Sequence, residues 1–268
     1  MAIYVFGNKK GGVGKSITTI NLAGAIIYRA MRLGHDVETS VVIVDADTNE
    51  TCVNYIRRRE AFNEKMKAID GTVLPFIKVE LRRPEDSLTR ELIALNKIYD
   101  YVLVDTGGYE NNAFKTSVGV SDAVYLPFQP AQVDIEQLIP TLFVIKGIEE
   151  NYREIRGDED FRINSRLILT LVEHSSRDLF NEAKDVCTQL LDYASISGVS
   201  LPKVKAVCKI QDLGLTLFDP QPNKSKDKLM SPHPRRGAFD LLLDEIDGKR
   251  LLEVNRNFSS VSDASDTL

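Results

Sequence analysis

Residues that bind soft metals or form disulfides are scarce in this chain. Its 268 residues include three cysteines and three histidines. Cys52, Cys187 and Cys208 lie far apart and form no C-x-x-C pair, so neither a disulfide framework nor an iron–sulfur centre of the usual spacing is expected. The histidines are equally scattered and predict no metal-binding cluster.

Long apolar runs and an excess of basic charge are also missing. No stretch reaches the length of about 20 apolar residues that a membrane-spanning helix needs. The first β-type run begins at residue 2, which leaves no room for a signal peptide, and we therefore expect a cytoplasmic protein. The net charge of −5 argues against a protein that is basic all over, although a local basic patch remains compatible with it.

What the chain does contain is a glycine-rich stretch between an apolar run and a helical pattern. The apolar run covers 2–6, the stretch K-K-G-G-V-G-K-S covers 9–16, and helical periodicity covers 17–31. This order of strand, glycine-rich turn and helix is the context that a phosphate-binding loop requires. Glycines allow several backbone N–H groups to point inward, and the helix N-terminus adds positive potential. Lys15 would reach the β- and γ-phosphates, and the Ser16 hydroxyl would hold Mg²⁺.

The glycine-rich stretch differs from the general pattern G-x-x-x-x-G-K-[ST] at its first position and carries an additional lysine at the next. Lys9 stands where that pattern has glycine, and a second lysine, Lys10, lies inside the loop. In this form the stretch resembles the deviant Walker A motif of the ParA/MinD family of ATPases, in which the extra lysine reaches across a dimer interface to the partner's nucleotide. The resemblance implies that ATP is bound by a continuous segment, namely Lys10, Gly11, Gly12, Val13, Gly14, Lys15, Ser16 and Ile17.

Two aspartates follow the β-branched run 41–44, at the end of a predicted strand where open α/β sheets bind ligands. The segment Asp45-Ala46-Asp47 resembles the family's D-x-D switch I, in which the first acidic residue helps to organise the Mg²⁺ shell and the second positions the attacking water. Relatives usually continue with Pro-Gln, whereas this chain continues with Thr-Asn. Alternatively, both aspartates cap a helix predicted over 48–59.

A second carboxylate follows the apolar run 101–104. The segment Asp105-Thr106-Gly107-Gly108 resembles Walker B and switch II, with two glycines where most relatives have two prolines. The resemblance implies that Asp105 binds Mg²⁺ through water. The implied metal-binding set is therefore Ser16, Asp45 and Asp105. Because glycine constrains the backbone less than proline does, we expect a looser switch II.

Three further features each have two interpretations. Asp134 pairs with Lys10, as an acidic residue does in relatives, or caps the helix that follows it, and the two roles are compatible. The arginines at 57–59 either close the helix predicted over 48–59 beside solvent or contact nucleic acid. The polar, basic loop at 219–237 is either a plain solvated loop or a contact for a phosphate backbone.

Alternation of strands and helices predicts an α/β protein, with three α/β/α layers around a mostly parallel sheet. Hydrophobic residues make up 43% of the chain, which is enough for one sizeable core. We place a single P-loop ATPase domain at 1–256 and a disordered tail at 257–268, which is rich in serine and aspartate. Further strands are predicted over 72–81, 122–128, 166–172 and 204–207, and further helices over 84–95, 134–150, 175–194 and 239–246.

Taken together, the resemblance implies an Mg²⁺-dependent ATPase that forms a homodimer around two nucleotides, with Lys10 acting in trans. Lys10, Lys15 and Mg²⁺ would offset charge on the transferring phosphoryl group, and Asp47 would orient water. Hydrolysis is expected to be slow until a partner stimulates it. An electron-transfer enzyme of the same fold would need cluster cysteines, and metabolic relatives usually lack the lysine at position 10.

The chain resembles the short type of ParA, which lacks a helix-turn-helix domain. This implies plasmid or chromosome partition, in which the ATP-bound dimer binds DNA without sequence preference at the nucleoid and a ParB-like centromere-binding adaptor stimulates hydrolysis. The alternative is a MinD-like or cargo-positioning ATPase acting on a membrane or a protein organelle. The last residues are acidic and rich in serine rather than basic and amphipathic, so no membrane partner is expected.

Overall fold

A parallel β-sheet organises the protein. The structure is a computed structural model that describes residues 1–108, 110–172, 181, 185, 187–188, 190–204, 210–222 and 229–248. The main sheet has seven strands, β1 (Ala2–Phe6), β2 (Val41–Ala46), β3 (Lys78–Leu81), β4 (Tyr101–Thr106), β5 (Ala123–Phe128), β6 (Ser165–Leu169) and β7 (Ser195–Ile196). A separate antiparallel pair comprises β8 (Gln221–Pro222) and β9 (Leu229–Met230).

Six helices are described along the chain. They are α1 (Lys15–Leu33), α2 (Thr51–Asp70), α3 (Thr89–Leu95), α4 (Asn112–Val118), α5 (Gln132–Arg156) and α6 (Gly237–Ile246). A short 3₁₀ turn at Pro234–Arg236 precedes α6. None of these described helices has both the length and the apolar character needed to cross a bilayer.

The strand order places the carboxyl ends of β1, β2 and β4 side by side. The order across the sheet is β3-β2-β4-β1-β5-β6-β7, and every pair in it is parallel. In register, Asp105 at the end of β4 pairs with Phe6 on one side and with Asp45 on the other. Residues that follow these three strands therefore meet at one edge of the sheet, where ligands bind in open α/β folds.

Alternation along the strands divides the core into two apolar layers, one on each face of the sheet. Tyr4 and Phe6 belong to the layer that includes α1, α2 and α6, whereas Ile3 and Val5 belong to the layer that includes α4 and α5. This period of two is what a strand buried on both faces produces. The predicted α/β fold with a parallel sheet is confirmed.

Several predicted boundaries were wrong. Helix α2 does not end near the arginines at 57–59 but continues for eleven further residues to Asp70, so the interpretation of these arginines as a helix end is incorrect. Strand β3 covers only the last four residues of the predicted 72–81, and α3 begins at Thr89 rather than at residue 84. The helix predicted over 84–95 is thus shorter at its N-terminal end.

The remaining predictions fall partly beyond the described part of the chain. Most of the helix predicted over 175–194, most of the strand predicted over 204–207, and all of the tail at 257–268 lie outside the described residues. Strand β7 was not predicted, because two residues are too few for a periodic pattern. Helix α6 was predicted over nearly its full length, and its apolar side packs in the same layer as α1.

Arg59 makes a buried ion pair with Asp219, which sequence analysis had assigned to a polar loop. Its guanidinium contacts both carboxylate oxygens, with Nη1–Oδ2 at 2.5 Å and Nη2–Oδ1 at 2.8 Å, and Nε donates to the carbonyl of Pro75. The carboxylate also accepts hydrogen bonds from the Tyr28 hydroxyl and from the backbone N–H of Thr216. The polar loop therefore begins after Asp219, and this pair joins α2 to the chain preceding α6.

Gly214 makes room for this pair. Its φ of +68° lies in the left-handed region, and a Cβ there would lie 2.2 Å from the backbone nitrogen of Arg59. The chain at Gly214 therefore lies directly against α2, and the Gly214 carbonyl accepts a hydrogen bond from the Arg59 guanidinium.

Replacing Asp219 with Asn should destabilise the fold by about 3 kcal/mol, because it leaves a buried guanidinium without its counter-charge. The measurement is urea-induced unfolding at pH 7. The control is Lys78→Gln, which breaks a partly exposed pair between Lys78 and Glu80 and should cost less than about 1 kcal/mol. Equal losses in the two variants would contradict a special contribution from the buried pair.

Candidate nucleotide site

The glycine-rich loop runs from the carboxyl end of β1 to the first residue of α1. Gly12 and Gly14 have φ values of 77° and 90°, which side-chain-bearing residues rarely adopt, and Gly14 directly precedes α1. A Cβ placed on Gly11 or Gly12 would meet no atom within 4 Å. The loop therefore has open space along one side, as a cradle for phosphates requires.

Residues outside the loop fix its backbone from behind. The buried amide of Asn8 donates to the carbonyl of Pro127 at 2.8 Å, and its oxygen accepts the backbone N–H of Lys10. The Thr170 hydroxyl donates to the carbonyl of Val13 at 2.6 Å. Asn8 and Thr170 were missed by sequence analysis, because a single polar residue at a strand end has no spacing pattern that marks it.

The two lysines of the loop occupy different environments. Lys15 is buried, and its ammonium donates to the carbonyl of Lys10 across the loop at 3.2 Å. The Lys10 side chain is 35% exposed, and its ammonium forms an ion pair with the fully buried carboxylate of Asp134. The predicted pairing of Lys10 with Asp134 is confirmed. The alternative, in which Asp134 is the N-cap of α5, was wrong, because the N-cap is Ala131 and Asp134 lies in the first helical turn.

The switch I segment begins at the carboxyl end of β2 and is hydrogen-bonded to the start of α2. The carboxylate of Asp45 has no exposed surface and accepts the backbone N–H of Val53 in the first turn of α2 at 3.0 Å. Burial raises its pKa. Asp47 retains 9% exposure and accepts the backbone N–H and the side-chain amide of Asn49. Thus Asp45 satisfies one helical N–H, whereas Asp47 closes a local turn, and the N-cap position is Glu50.

Asp105 is the most strongly desolvated acidic group of the site. It has no exposed surface, and its Oδ2 accepts the Cys52 thiol at 3.2 Å. Within the described part of the chain, its Oδ1 has no hydrogen-bond partner. Burial raises the pKa of Asp105 to about 7, and the nearby Asp45 adds to the increase, although Ser16 and Lys15 act in the opposite direction.

The oxygen atoms of Ser16, Asp45 and Asp105 suit a hard cation that also binds phosphate oxygens. Ser16, Asp45 and Asp105 come together at the ends of β1, β2 and β4, and one buried carboxylate oxygen among them is unpaired. Across the described residues, no three His, Cys, Asp or Glu side chains are grouped so as to hold a metal ion by themselves. Such a site suits Mg²⁺, which keeps several waters and binds through one or two carboxylates plus substrate phosphates.

Switch II lies directly against the start of the loop. A Cβ on Gly108 would lie 2.9 Å from Cα of Lys9, and the Lys9 ammonium forms a 2.8 Å ion pair with Glu110. Glycine at position 108 therefore has a packing reason here. The greater looseness expected of this segment stays a prediction.

This fold and site define a P-loop ATPase of the ParA/MinD class, with a second lysine in the loop and carboxylates near the carboxyl ends of β2 and β4. The model of one family, the ATPase MipZ, matches residues 2–148, which is more than half of the chain. The chain belongs to this family of ATPases.

Individual relatives agree with this assignment. The chain is 26% identical over 220 residues to the chromosome partitioning protein ParA of Caulobacter vibrioides, covering 69% of this chain and 75% of that one. The MinD cell division protein of Aquifex aeolicus shares the fold at a TM-score of 0.62 with 18% identity, covering 94% and 98% of the two chains. A plasmid partition protein of Borrelia burgdorferi bound to AMPPNP has a TM-score of 0.56 with 18% identity, covering 91% and 99%.

Replacing Asp105 with Asn should stabilise the nucleotide-free, Mg²⁺-free protein by about 1–3 kcal/mol at pH 8, because it removes a desolvated charge. A folded-state pKa raised from 3.8 to about 7 means that the folded state of the parent binds the proton more tightly. Parent stability should therefore fall as pH rises between these values, and the advantage of the variant should shrink towards pH 4. The measurement is urea unfolding in EDTA at several pH values. A variant less stable than the parent at pH 8 would contradict this account.

Proposed function

We propose that this protein is an Mg²⁺-dependent ATPase switch that binds ATP at the loop 9–16, dimerises around two nucleotides, and drives DNA partition with a stimulating adaptor. The observation that carries the proposal is that the two lysines of the loop differ in burial and in their partners. Lys15 is buried across the loop, whereas Lys10 is partly exposed at its rim and paired with Asp134.

The nucleotide-binding step is assigned to the loop and the residues around it. Lys15 would bind the β- and γ-phosphates, and the backbone of 11–14, fixed by Asn8 and Thr170, would cradle them. Ser16 would be a direct ligand of Mg²⁺, while Asp45 and Asp105 would hold its waters. Bound Mg²⁺ would offset negative charge on the phosphates.

For hydrolysis we assign Asp47 as the residue that orients the attacking water. Its carboxylate keeps some exposure, unlike those of Asp45 and Asp105, and the turn with Asn49 holds it at the end of β2. A carboxylate that keeps some exposed surface at this place can accept a hydrogen bond from a water molecule. Catalysis would then depend on positioning and on electrostatic stabilisation of the transferring phosphoryl group.

Dimerisation is assigned to Lys10. Its ammonium is satisfied by Asp134 within the same subunit, and its partial exposure leaves it within reach of an approaching surface. In a dimer around two nucleotides, the phosphates of the partner subunit would replace Asp134 as the counter-charge. This exchange makes dimerisation depend on the bound triphosphate.

DNA is the proposed surface on which the dimer acts. Support comes from the similarity to ParA of Caulobacter vibrioides and from basic residues on one described surface. Arg235 is exposed and its guanidinium donates to the carbonyl of Lys203, and Arg236 follows it in the short 3₁₀ turn. The two arginine side chains here would suit a phosphate backbone. Positioning on a membrane or on a protein organelle is the alternative if DNA is not bound.

Lys15→Ala should abolish binding of a fluorescent ATP analogue, because it removes the buried cation of the loop.

Lys10→Ala should bind the same analogue with an affinity within about threefold of the parent. It should nevertheless fail to form the ATP-dependent dimer, as measured by light scattering coupled to size exclusion. Lys9→Ala is the matched control, because Lys9 is the neighbouring lysine and pairs with the exposed Glu110. An ATP-dependent dimer of the Lys10 variant would contradict the role in trans.

Non-specific duplex DNA should be bound with ATP and Mg²⁺ but not with ADP or without nucleotide, and binding should weaken steeply with salt. Arg235→Ala should weaken it uniformly across sequences and reduce the salt slope by about one. The control is Arg162→Ala, an exposed arginine on the segment before β6. Fluorescence anisotropy at two salt concentrations measures both effects. No DNA binding in any state, with the dimer intact, would favour a membrane or protein cargo instead.

A further inference from the structure

Cys52 is a buried thiol in contact with the Walker B aspartate. It is the second residue of α2, it has no exposed surface, and its sulfur lies 3.2 Å from Oδ2 of Asp105. A buried cysteine usually behaves as a small apolar residue with a weak S–H donor. Here the donor has an acceptor, and that acceptor is a residue assigned to the magnesium site.

The two oxygens of Asp105 have different surroundings. Oδ2 accepts the Cys52 thiol, whereas Oδ1 is buried and has no hydrogen-bond partner among the described residues. The terminal torsion of an aspartate is broad and roughly two-fold, so packing alone defines its rotation poorly. A donor on one oxygen fixes the plane of the carboxylate and determines which oxygen stays available.

The same helical turn also holds the other buried aspartate. Asp45 accepts the backbone N–H of Val53, the residue next to Cys52. Both carboxylates are thus fastened to the first turn of α2, one through a backbone donor and one through a side-chain donor.

We propose that Cys52 is a positioning residue for the magnesium site, where its thiol holds Oδ2 of Asp105 and leaves Oδ1 to the hydration shell of the cation. This inference rests on the proposed function, because it assumes that Mg²⁺ binds with ATP beside Asp105. Cys52 itself is not among the residues assigned to bind the cation or the nucleotide. Outer-shell partners of this kind orient a ligand and so affect metal affinity more than nucleotide affinity.

The test compares Cys52→Ala and Cys52→Ser with the parent in a titration of Mg²⁺ against a fluorescent ATP analogue, starting from EDTA. Cys52→Ala should need about tenfold more Mg²⁺ for half-maximal effect, while its affinity for the analogue in EDTA stays within twofold of the parent. Cys52→Ser keeps a donor of similar size and should stay within threefold of the parent. Cys187→Ala is the matched control, because that cysteine is equally buried but lies in the opposite apolar layer.

Four results would overturn the assignment. An unchanged Mg²⁺ requirement in Cys52→Ala would show that the thiol does not position Asp105. Equal losses in the Ala and Ser variants, or a loss of analogue binding already in EDTA, would indicate packing rather than a hydrogen bond. A parent protein that binds the analogue without any effect of Mg²⁺ would remove the proposed magnesium site itself, and this is visible before any variant is made.

Discussion

The site depends on one constraint, which is that the carboxylate of Asp105 is fully buried near the end of a central strand. Asp105 lies between β2 and β1 in the sheet, and the parallel register places Asp45 beside it. Two desolvated acids side by side are unfavourable. The first turn of α2 supplies a hydrogen bond to each of them, from the Cys52 thiol to Asp105 and from the Val53 N–H to Asp45, and Ser16 lowers the pKa of Asp105. Much of the architecture around the loop can be understood as the means of keeping these two carboxylates buried.

Helix α2 connects the site to a second buried polar cluster, around Arg59 and Asp219. Its first turn fastens the buried acids, and its middle is anchored by the ion pair between Arg59 and Asp219. Asp219 in turn binds Tyr28 of α1, the helix that starts at the phosphate loop. Asp219 therefore links α1 to α2, because its buried carboxylate binds Tyr28 of one helix and Arg59 of the other. These contacts fix the position of the two helices relative to each other.

Features that depend on a local sequence pattern could be predicted, whereas contacts between side chains distant in sequence could not. The loop, both aspartate segments and the parallel sheet could be predicted, because glycine spacing and β-branched runs depend on neighbouring residues. Burial of Arg59 could not, since three successive arginines suggest solvent and the partner carboxylate is 160 positions away. The thiol contact of Cys52 was missed for the same reason, because its acceptor is 53 positions away.

The approach of Gly108 to Lys9 involves the backbone of the loop itself. No choice of side chain at position 108 can therefore tune the spacing between switch II and the loop, because the first added carbon already collides. A substitution there must displace one chain or the other, and the sequence at this point is limited to glycine for as long as the two segments touch. Adjustment of this ATPase, by evolution or by design, has to come from residues flanking that contact.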